Sequence, residues 1–225
     1  HWRTTVSENR KFSVLMSVYV KENPAFLEEA VESIIHQTLK PSEVVIVEDG
    51  PLTPELYQVL EKLEAQSSIP IKRCPLEQNR GLGLALQYGV LQCQYDVIAR
   101  MDTDDIAVED RFEQQFELME KENLDLLGGH IAEFIDQPDE IVSYRRVPTK
   151  HEDIIVYQRM RSAFNHMTVM FKKEMVLKAG NYEDGLYMED DLLWLNMISA
   201  GARTGNVDQI LCKVRVGAGM FERRG

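Results

Sequence analysis

The chain has 225 residues, 44% hydrophobic and 28% charged, enough for one large α/β domain or two small ones. Its net charge of −12 argues against nucleic-acid binding through a general basic surface, although a bound cation can invert the local field for an anionic substrate. Cys74, Cys93 and Cys212 fit neither a zinc spacing nor a disulfide framework, no apolar run approaches a membrane span, and no signal peptide precedes the first apolar run, so a reducing, cytoplasmic setting is expected.

Residues 1–10 are polar and without periodicity, and read as an N-terminal extension. Phe12 to Val18 is a nearly continuous apolar run, as a strand buried on both faces should be. Phe26, Ala30 and Ile34, flanked by Leu27, Val31 and Ile35, recur at helical spacing. Val44 to Val47 predicts a second buried strand. Thr53-Pro54-Glu55 then reads as an N-cap, a first-turn proline and an N-terminal acid. Leu56, Val59, Leu60 and Leu63 supply that helix's apolar face. Ile69 to Arg73 predicts a short strand, Gly83 to Gln92 a helix, and Tyr95 to Met101 another strand. Phe112, Phe116 and Met119 mark the next helix. The alternation predicts a Rossmann-like, mostly parallel sheet flanked by helices. In such sheets ligands sit beyond the carboxyl ends of the strands.

The last third is less regular. Leu126 to Phe134 reads as a strand, and Thr149 and Glu152 have capping-box spacing. Met167 to Phe171 is strand-like, and Phe171 to Ala179 predicts a short helix ended by Gly180. Glu189 to Ala200 predicts another helix ended by Gly201, and Ile210 to Val216 a strand. The ending Glu222-Arg223-Arg224-Gly225 closes no element, so further chain is expected beyond it. No repeat or linker divides the sequence. Residues 11–225 are therefore expected to form one domain, with 11–105 as its nucleotide-binding half and 106–225 as its acceptor half.

The chemistry gathers at predicted strand ends. The strand before Met101 runs directly into Asp102-Thr103-Asp104-Asp105. Carboxylates crowded beside a buried strand repel one another without a counter-ion. Hard oxygen ligands at this spacing suit Mg2+ or Mn2+, which in turn hold a diphosphate. The same run also fits an acidic turn, with Asp105 as N-cap of the following helix. Asp49 ends a strand before Gly50, where a base can approach the backbone closely and the carboxylate can accept an imide N–H. It also fits a plain turn-former. Tyr19 suits stacking on a base or a place in the core. Arg80 and Arg100 suit a phosphate or the base, or surface ion pairs. Glu189-Asp190 opens an amphipathic helix carrying Leu193, Trp194 and Met197, where negative charge also favours a helix start.

Ser17-Val18-Tyr19, Glu48-Asp49-Gly50, Asp102 to Asp105, and Glu189-Asp190-Asp191-Leu192-Leu193-Trp194 occur in that order. With them the sequence resembles the family-2 glycosyltransferases, inverting enzymes of the GT-A fold, from about Lys11 to Arg215. The resemblance implies a nucleotide-diphosphate-sugar donor, Mn2+ or Mg2+, and an acceptor hydroxyl on a glycan, lipid-linked or glycoprotein molecule. It places the uracil on Asp49, the ribose or metal on Asp102, and the metal on Asp104, with Asp105 behind them. Asn79-Arg80-Gly81-Leu82-Gly83 looks like the family's Asn-x-Gly segment opening a helix. Ser17, Val18, Tyr19, Glu22, Arg100, Met101 and Thr103 complete the expected donor site. The general base falls in the acidic pair; Asp190 is the choice and Glu189 the reserve, because the register is ambiguous by one position. His166, after Asn165, and Trp194 are expected at the acceptor.

Two departures matter. The usual Asp-Asp-Gly is Glu48-Asp49-Gly50 here, and Gly217 stands where many relatives carry a histidine, which leaves the last strand's part in metal binding in doubt. The expected reaction moves a hexose from UDP-glucose or UDP-galactose, for surface polysaccharide or glycoprotein glycan, at the cytoplasmic side. Association with the inner membrane face through residues beyond Gly225, and a homodimer, are compatible with this. A sugar nucleotidyltransferase would need a glycine-rich loop where Ser17-Val18-Tyr19-Val20-Lys21-Glu22 stands. A non-catalytic nucleotide-sugar-binding domain would not need Asp190.

Overall fold

The computed structural model describes residues 10–185 and 189–217, with Glu189 described in its backbone alone. The expected extension over residues 1–9, the side chain of Glu189 and the chain ending over 218–225 lie outside the described residues.

The first half follows the predicted order: β1 (Ser13–Val18), α1 (Pro24–Ile35), β2 (Glu43–Glu48), α2 (Pro54–Gln66), β3 (Ile71–Pro75), α3 (Leu82–Gln92) and β4 (Val97–Arg100). These strands pair in parallel in the order β3-β2-β1-β4. The second half adds β5 (Ile106–Ala107), α4 (Arg111–Glu122), β6 (Leu126–Phe134), β7 (Ile141–Arg145) and α5 (His151–Tyr157). A 3-10 turn (His166–Thr168), β8 (Met170–Lys172), α6 (Lys173–Lys178), α7 (Glu189–Ser199) and β9 (Thr204–Arg215) complete it. β8 joins the halves, pairing antiparallel with β4 on one side and β6 on the other. β9 lies parallel to β6 and carries β5 on its outer edge.

Strand alternation divides the core into two layers. Val14, Met16, Val44 and Ile46 face α1 and α2, together with Phe12 packed edge-on against Phe112 at 4.9 Å. Leu15, Val45 and Val47 face the other way, onto Leu86 and Val90 of α3 and on to Phe171 and Trp194. Burial of such side chains contributes about 1.5–3 kcal/mol each, which outweighs the weak propensity of valine-rich runs for any other state.

Local chemistry sets the helix ends. Thr53 Oγ1 accepts the Leu56 N–H at 3.2 Å, with Pro54 at the first position, as expected. Asn23 does the same for α1, accepting from Ala25 and Phe26. Gly180 and Gly201, at φ +100° and +94°, stop α6 and α7 where a side chain would be strained.

Three local expectations change. α5 begins at His151 with Lys150 as its cap residue, and the Thr149 carbonyl accepts the Asn206 N–H instead, so there is no capping box. The helix expected over Phe171–Ala179 begins at Lys173, because Phe171 is a strand residue between Ile98 and Leu126. Asp105 does not cap α4, whose N-cap is Asp110; it accepts the Arg215 N–H of β9 at 3.1 Å.

Candidate active site

The carboxyl ends of β1, β2 and β4 meet at a cavity of about 360 Å³ lined by Ser17, Tyr19, Glu22, Asp49, Asn79, Gly81, Leu82, Asp102, Thr103 and Asp104. A larger cavity of about 690 Å³ lies elsewhere, between the start of β9 and α5, with no matching carboxylate cluster among the described residues. Tyr19 stands open, 44% exposed, at the smaller cavity.

Asp49 is the hinge of this half. Its two carboxylate oxygens accept the N–H groups of Arg80 (2.7 Å) and Gly81 (3.1 Å), and its carbonyl accepts from Asn79 Nδ2. Gly50 has φ +88°, and a Cβ there would meet Asn79 N at 2.6 Å. The close approach expected at Gly50 is thus made by the chain's own backbone. Glu48 is engaged by both ends of the Arg73 guanidinium, at 2.9 and 3.1 Å. Glu22 accepts from Thr103 Oγ1 at 2.5 Å, tying the β1 loop to the acidic run.

Several expected donor contacts are not made by side chains. Val18 and Met101 are in the core and do not line the cavity. Arg80 is exposed and contributes its N–H to Asp49; its guanidinium is not among the cavity's lining groups. Leu82, which lines the cavity, is legible in the sequence only as part of the 79–83 segment, with no role expected of it in the donor site.

The acidic run behaves as a strained anionic cluster. Ligand oxygens of Asp102, Asp104 and Asp105 lie within 4.8 Å of one another. Burial, aided by Asp102 and Glu22, pushes Asp104 up to about 6. Burial and the neighbouring Asp102 and Asp104 push Asp105 well above the usual carboxylate range. Asp102 goes the other way: burial opposes its ionisation, but the His166 and Arg100 cations prevail and hold it down at about 2. Hard oxygen donors at close range, two of them bordering the cavity, fit Mn2+ or Mg2+. β9 contributes to this run through Arg215. Its N–H holds Asp105, its Nε holds the Asp104 carbonyl, and its guanidinium lies over Phe26 at 3.6 Å. Gly217 has open space where a side chain would project.

The acceptor side departs most from expectation. Arg100 is 1% exposed and does not line the smaller cavity; its NH1 donates to Asp190 Oδ1 (3.0 Å) and its NH2 to Asp102 Oδ1 (3.3 Å). His166 faces the same two carboxylates, Nε2 at 3.0 Å from Asp102 Oδ2 and Nδ1 at 3.8 Å from Asp190 Oδ2. Although burial works against its charge, the Asp102 carboxylate raises the affinity of His166 for its proton. Asp190 is therefore brought to the donor carboxylates. Trp194 is not: it is fully buried, packed against Phe164, Phe171 and Tyr182. Asn165 is also buried, bound to Arg145 and the Gly129 carbonyl. Beneath Arg100 lies a residue the sequence did not single out, Arg111, whose NH2 donates to the Arg100 carbonyl at 2.8 Å. Burial pushes Arg111 below the usual guanidinium range.

Solved structures with this fold include TarS of S. aureus in complex with UDP-GlcNAc (TM-score 0.73, 19% identity, 92% of this chain and 58% of that one). A mannosyltransferase of Pyrobaculum calidifontis in complex with GDP-Man and Mn2+ is another (TM-score 0.70, 15% identity, 96% of this chain and 64% of that one). The chain thus spans less than two thirds of either. The fold is the GT-A fold of glycosyltransferases. Residues 13–178 match glycosyl transferase family 2. An uncharacterized glycosyltransferase of Haemophilus influenzae is 47% identical, over 95% of this chain and 79% of its own length. The amylovoran biosynthesis glycosyltransferase AmsE of Erwinia amylovora is 42% identical, over 95% of this chain and 79% of its own length. A UDP-Gal:alpha-D-GlcNAc-diphosphoundecaprenol beta-1,3-galactosyltransferase of Escherichia coli is 38% identical, over 96% and 78%. The chain belongs to glycosyl transferase family 2. Among the described residues no helix is long and apolar enough to cross a membrane.

Proposed function

We propose that this glycosyltransferase is metal-dependent and inverting, and that it moves a hexose from UDP-galactose or UDP-glucose to a hydroxyl of a lipid-linked glycan in surface-polysaccharide assembly. The observation that carries the reading is the joint binding of Asp102 and Asp190 by Arg100, which holds a second carboxylate beside the acidic run that borders the cavity. The E. coli relative is named for UDP-Gal and a diphosphoundecaprenol acceptor, and AmsE for polysaccharide synthesis. Those names support the choice of donor and acceptor.

In this reading Tyr19 packs on the uracil. Asp49 accepts the imide N–H with lone pairs that its two backbone donors leave over. Ser17, Asn79, Gly81 and Leu82 wall the nucleotide. Asp104 and Asp102 would hold Mn2+ or Mg2+, which supplies neutralisation of charge on the leaving diphosphate. Asp190 accepts the acceptor hydroxyl's proton as that oxygen bonds to the anomeric carbon. The bond from that carbon to the diphosphate oxygen breaks on the opposite face, and UDP leaves with its electrons. An α-linked donor then gives a β-linked product. Residues 11–105 serve the nucleotide and 106–225 the acceptor, in one domain at the cytoplasmic side.

The test is a donor panel of UDP-galactose, UDP-glucose, UDP-GlcNAc and GDP-mannose, each with Mn2+ and a GlcNAc-diphosphate-lipid acceptor. A β-linked hexose from a UDP-hexose supports the reading. Transfer from GDP-mannose alone, or an α-linked product, contradicts it.

A further inference from the structure

Arg100 is a cation with almost no access to water, at the last position of β4. An unpaired guanidinium there would be very costly, so its partners are obligatory. It does not grip one carboxylate with both nitrogens. One terminal nitrogen takes Asp190 and the other takes Asp102. These acids come from different parts of the chain, Asp102 from the donor run and Asp190 from the first turn of α7. The rigid, planar fork therefore sets the separation and mutual orientation of the two oxygens it binds.

The groups around Arg100 hold its backbone and flank its guanidinium, while its buried Nε has no hydrogen-bond partner among the described residues. Leu15 pairs with it across β1. Its N–H donates to the Val169 carbonyl, and its own carbonyl accepts from Arg111. The ring of the fully buried Tyr182 lies 5.7 Å from its guanidinium carbon. Stability alone does not call for such an arrangement, because well-packed apolar groups serve a core as well as buried ion pairs do.

We propose that Arg100 is a positioning residue, which holds the Asp190 carboxylate at a set place relative to Asp102 and so registers the acceptor's base against the donor's diphosphate. The proposal rests on Asp190 being the general base. A misplacement of about 1 Å at such a group costs on the order of 100-fold in rate. Lysine keeps the charge but carries its three N–H donors on one flexible nitrogen, so it does not hold the two acids at the spacing of a rigid fork.

The experiment is a double-mutant cycle of Arg100→Lys and Asp190→Asn, with turnover measured at saturating donor, Mn2+ and acceptor. UDP affinity is measured by calorimetry, and folding by thermal unfolding. Arg100→Lys is expected to lose about 100-fold in turnover with UDP affinity within about threefold of the parent. Because Arg100 acts through Asp190, the double variant should lose little beyond Asp190→Asn alone. Near-parental turnover in Arg100→Lys, or losses that multiply in the double variant, would overturn the proposal. If Asp190→Asn keeps its turnover, the base assignment falls and the proposal with it. If Asp190→Asn loses turnover while Arg100→Lys does not, only the proposal falls. Arg100→Gln, which places no cation at position 100 but keeps a hydrogen-bonding group there, repeats the test should the lysine variant not fold. Unfolding of both assigns Arg100 to stability alone and overturns the positioning role.

Discussion

His166 Nε2 lies 3.0 Å from Asp102 Oδ2. A histidine expected at the acceptor is thus bonded to a carboxylate expected at the donor. Its other nitrogen lies 3.8 Å from Asp190, and Arg100 binds the same two acids from beneath. Two cations and two carboxylates close a ring between the halves of the site.

The His166–Asp102 pair makes stability depend on pH. Against the cost of burial, Asp102 raises the pKa of His166 above its ordinary 6.5. The folded chain then holds that proton more tightly than the unfolded one. The pair's contribution is full below about 6.5 and is lost as pH rises through the folded value. The thermal unfolding temperature of the parent should therefore decline above about pH 6.5 more steeply than that of His166→Gln. Parallel declines would show that the pair adds nothing.

Asp104 gives the metal its own pH signature. With its pKa pushed up to about 6 by burial, Asp102 and Glu22, it must release a proton to serve as a ligand below that pH. Affinity for Mn2+ should fall as pH drops through about 6, approaching tenfold per unit. Without metal the sign for folding is the reverse of the usual carboxylate: stability falls as pH rises from about 4 through about 6. At about pH 7.5, Asp104→Ala should weaken Mn2+-dependent UDP binding by on the order of tenfold or more. Calorimetry with and without Mn2+ reads both effects, and unchanged metal-dependent affinity would remove Asp104 from the site.

Much of this was legible because it is local. The apolar runs of β1 and β2, the Thr53-Pro54 cap and the acidic run at the end of β4 each declare themselves within a few residues. What was not legible depends on distant partners. Arg100 reads as a phosphate or base contact or as a surface ion pair, and only the folded chain shows a buried pairing with Asp190, 90 positions later. Arg111 and Gln115 lie outside the apolar set Phe112, Phe116 and Met119 that marks α4, yet both are buried against Arg100 and Thr168. α7 is apolar around much of its circumference, with Leu192 and Leu195 exposed and Leu193, Trp194 and Met197 buried, so its periodicity does not say which face Trp194 takes. β7 escaped notice because Val142 and Tyr144 face outward, against the usual polar-out pattern.

Trp194 should behave as a core residue. Trp194→Ala is expected to cost about 3–5 kcal/mol of stability, because it empties the space among Phe164, Phe171 and Tyr182. Acceptor KM in the surviving folded enzyme should change by no more than about twofold. A normal unfolding curve with a large rise in acceptor KM would restore Trp194 to the acceptor site.

Asp49 should act on the nucleotide through its loop as well as directly. Asp49→Ala leaves the Arg80 and Gly81 N–H groups without their acceptor and is expected to weaken UDP binding by about 1–3 kcal/mol. Asp49→Asn, which keeps one acceptor oxygen, should fall between. Equal UDP affinity in all three proteins would make Asp49 a turn residue only.

The central claim is that Asp190 is the base, and the most direct measurement is hexose transfer by Asp190→Asn at saturating donor, Mn2+ and acceptor. The asparagine keeps the shape beside Arg100 and His166 but cannot take the proton. Turnover should fall by about 10²–10⁴-fold while UDP affinity stays near the parental value. Parental turnover in Asp190→Asn, with the loss appearing in Glu189→Gln instead, would move the base by one position and contradict the account.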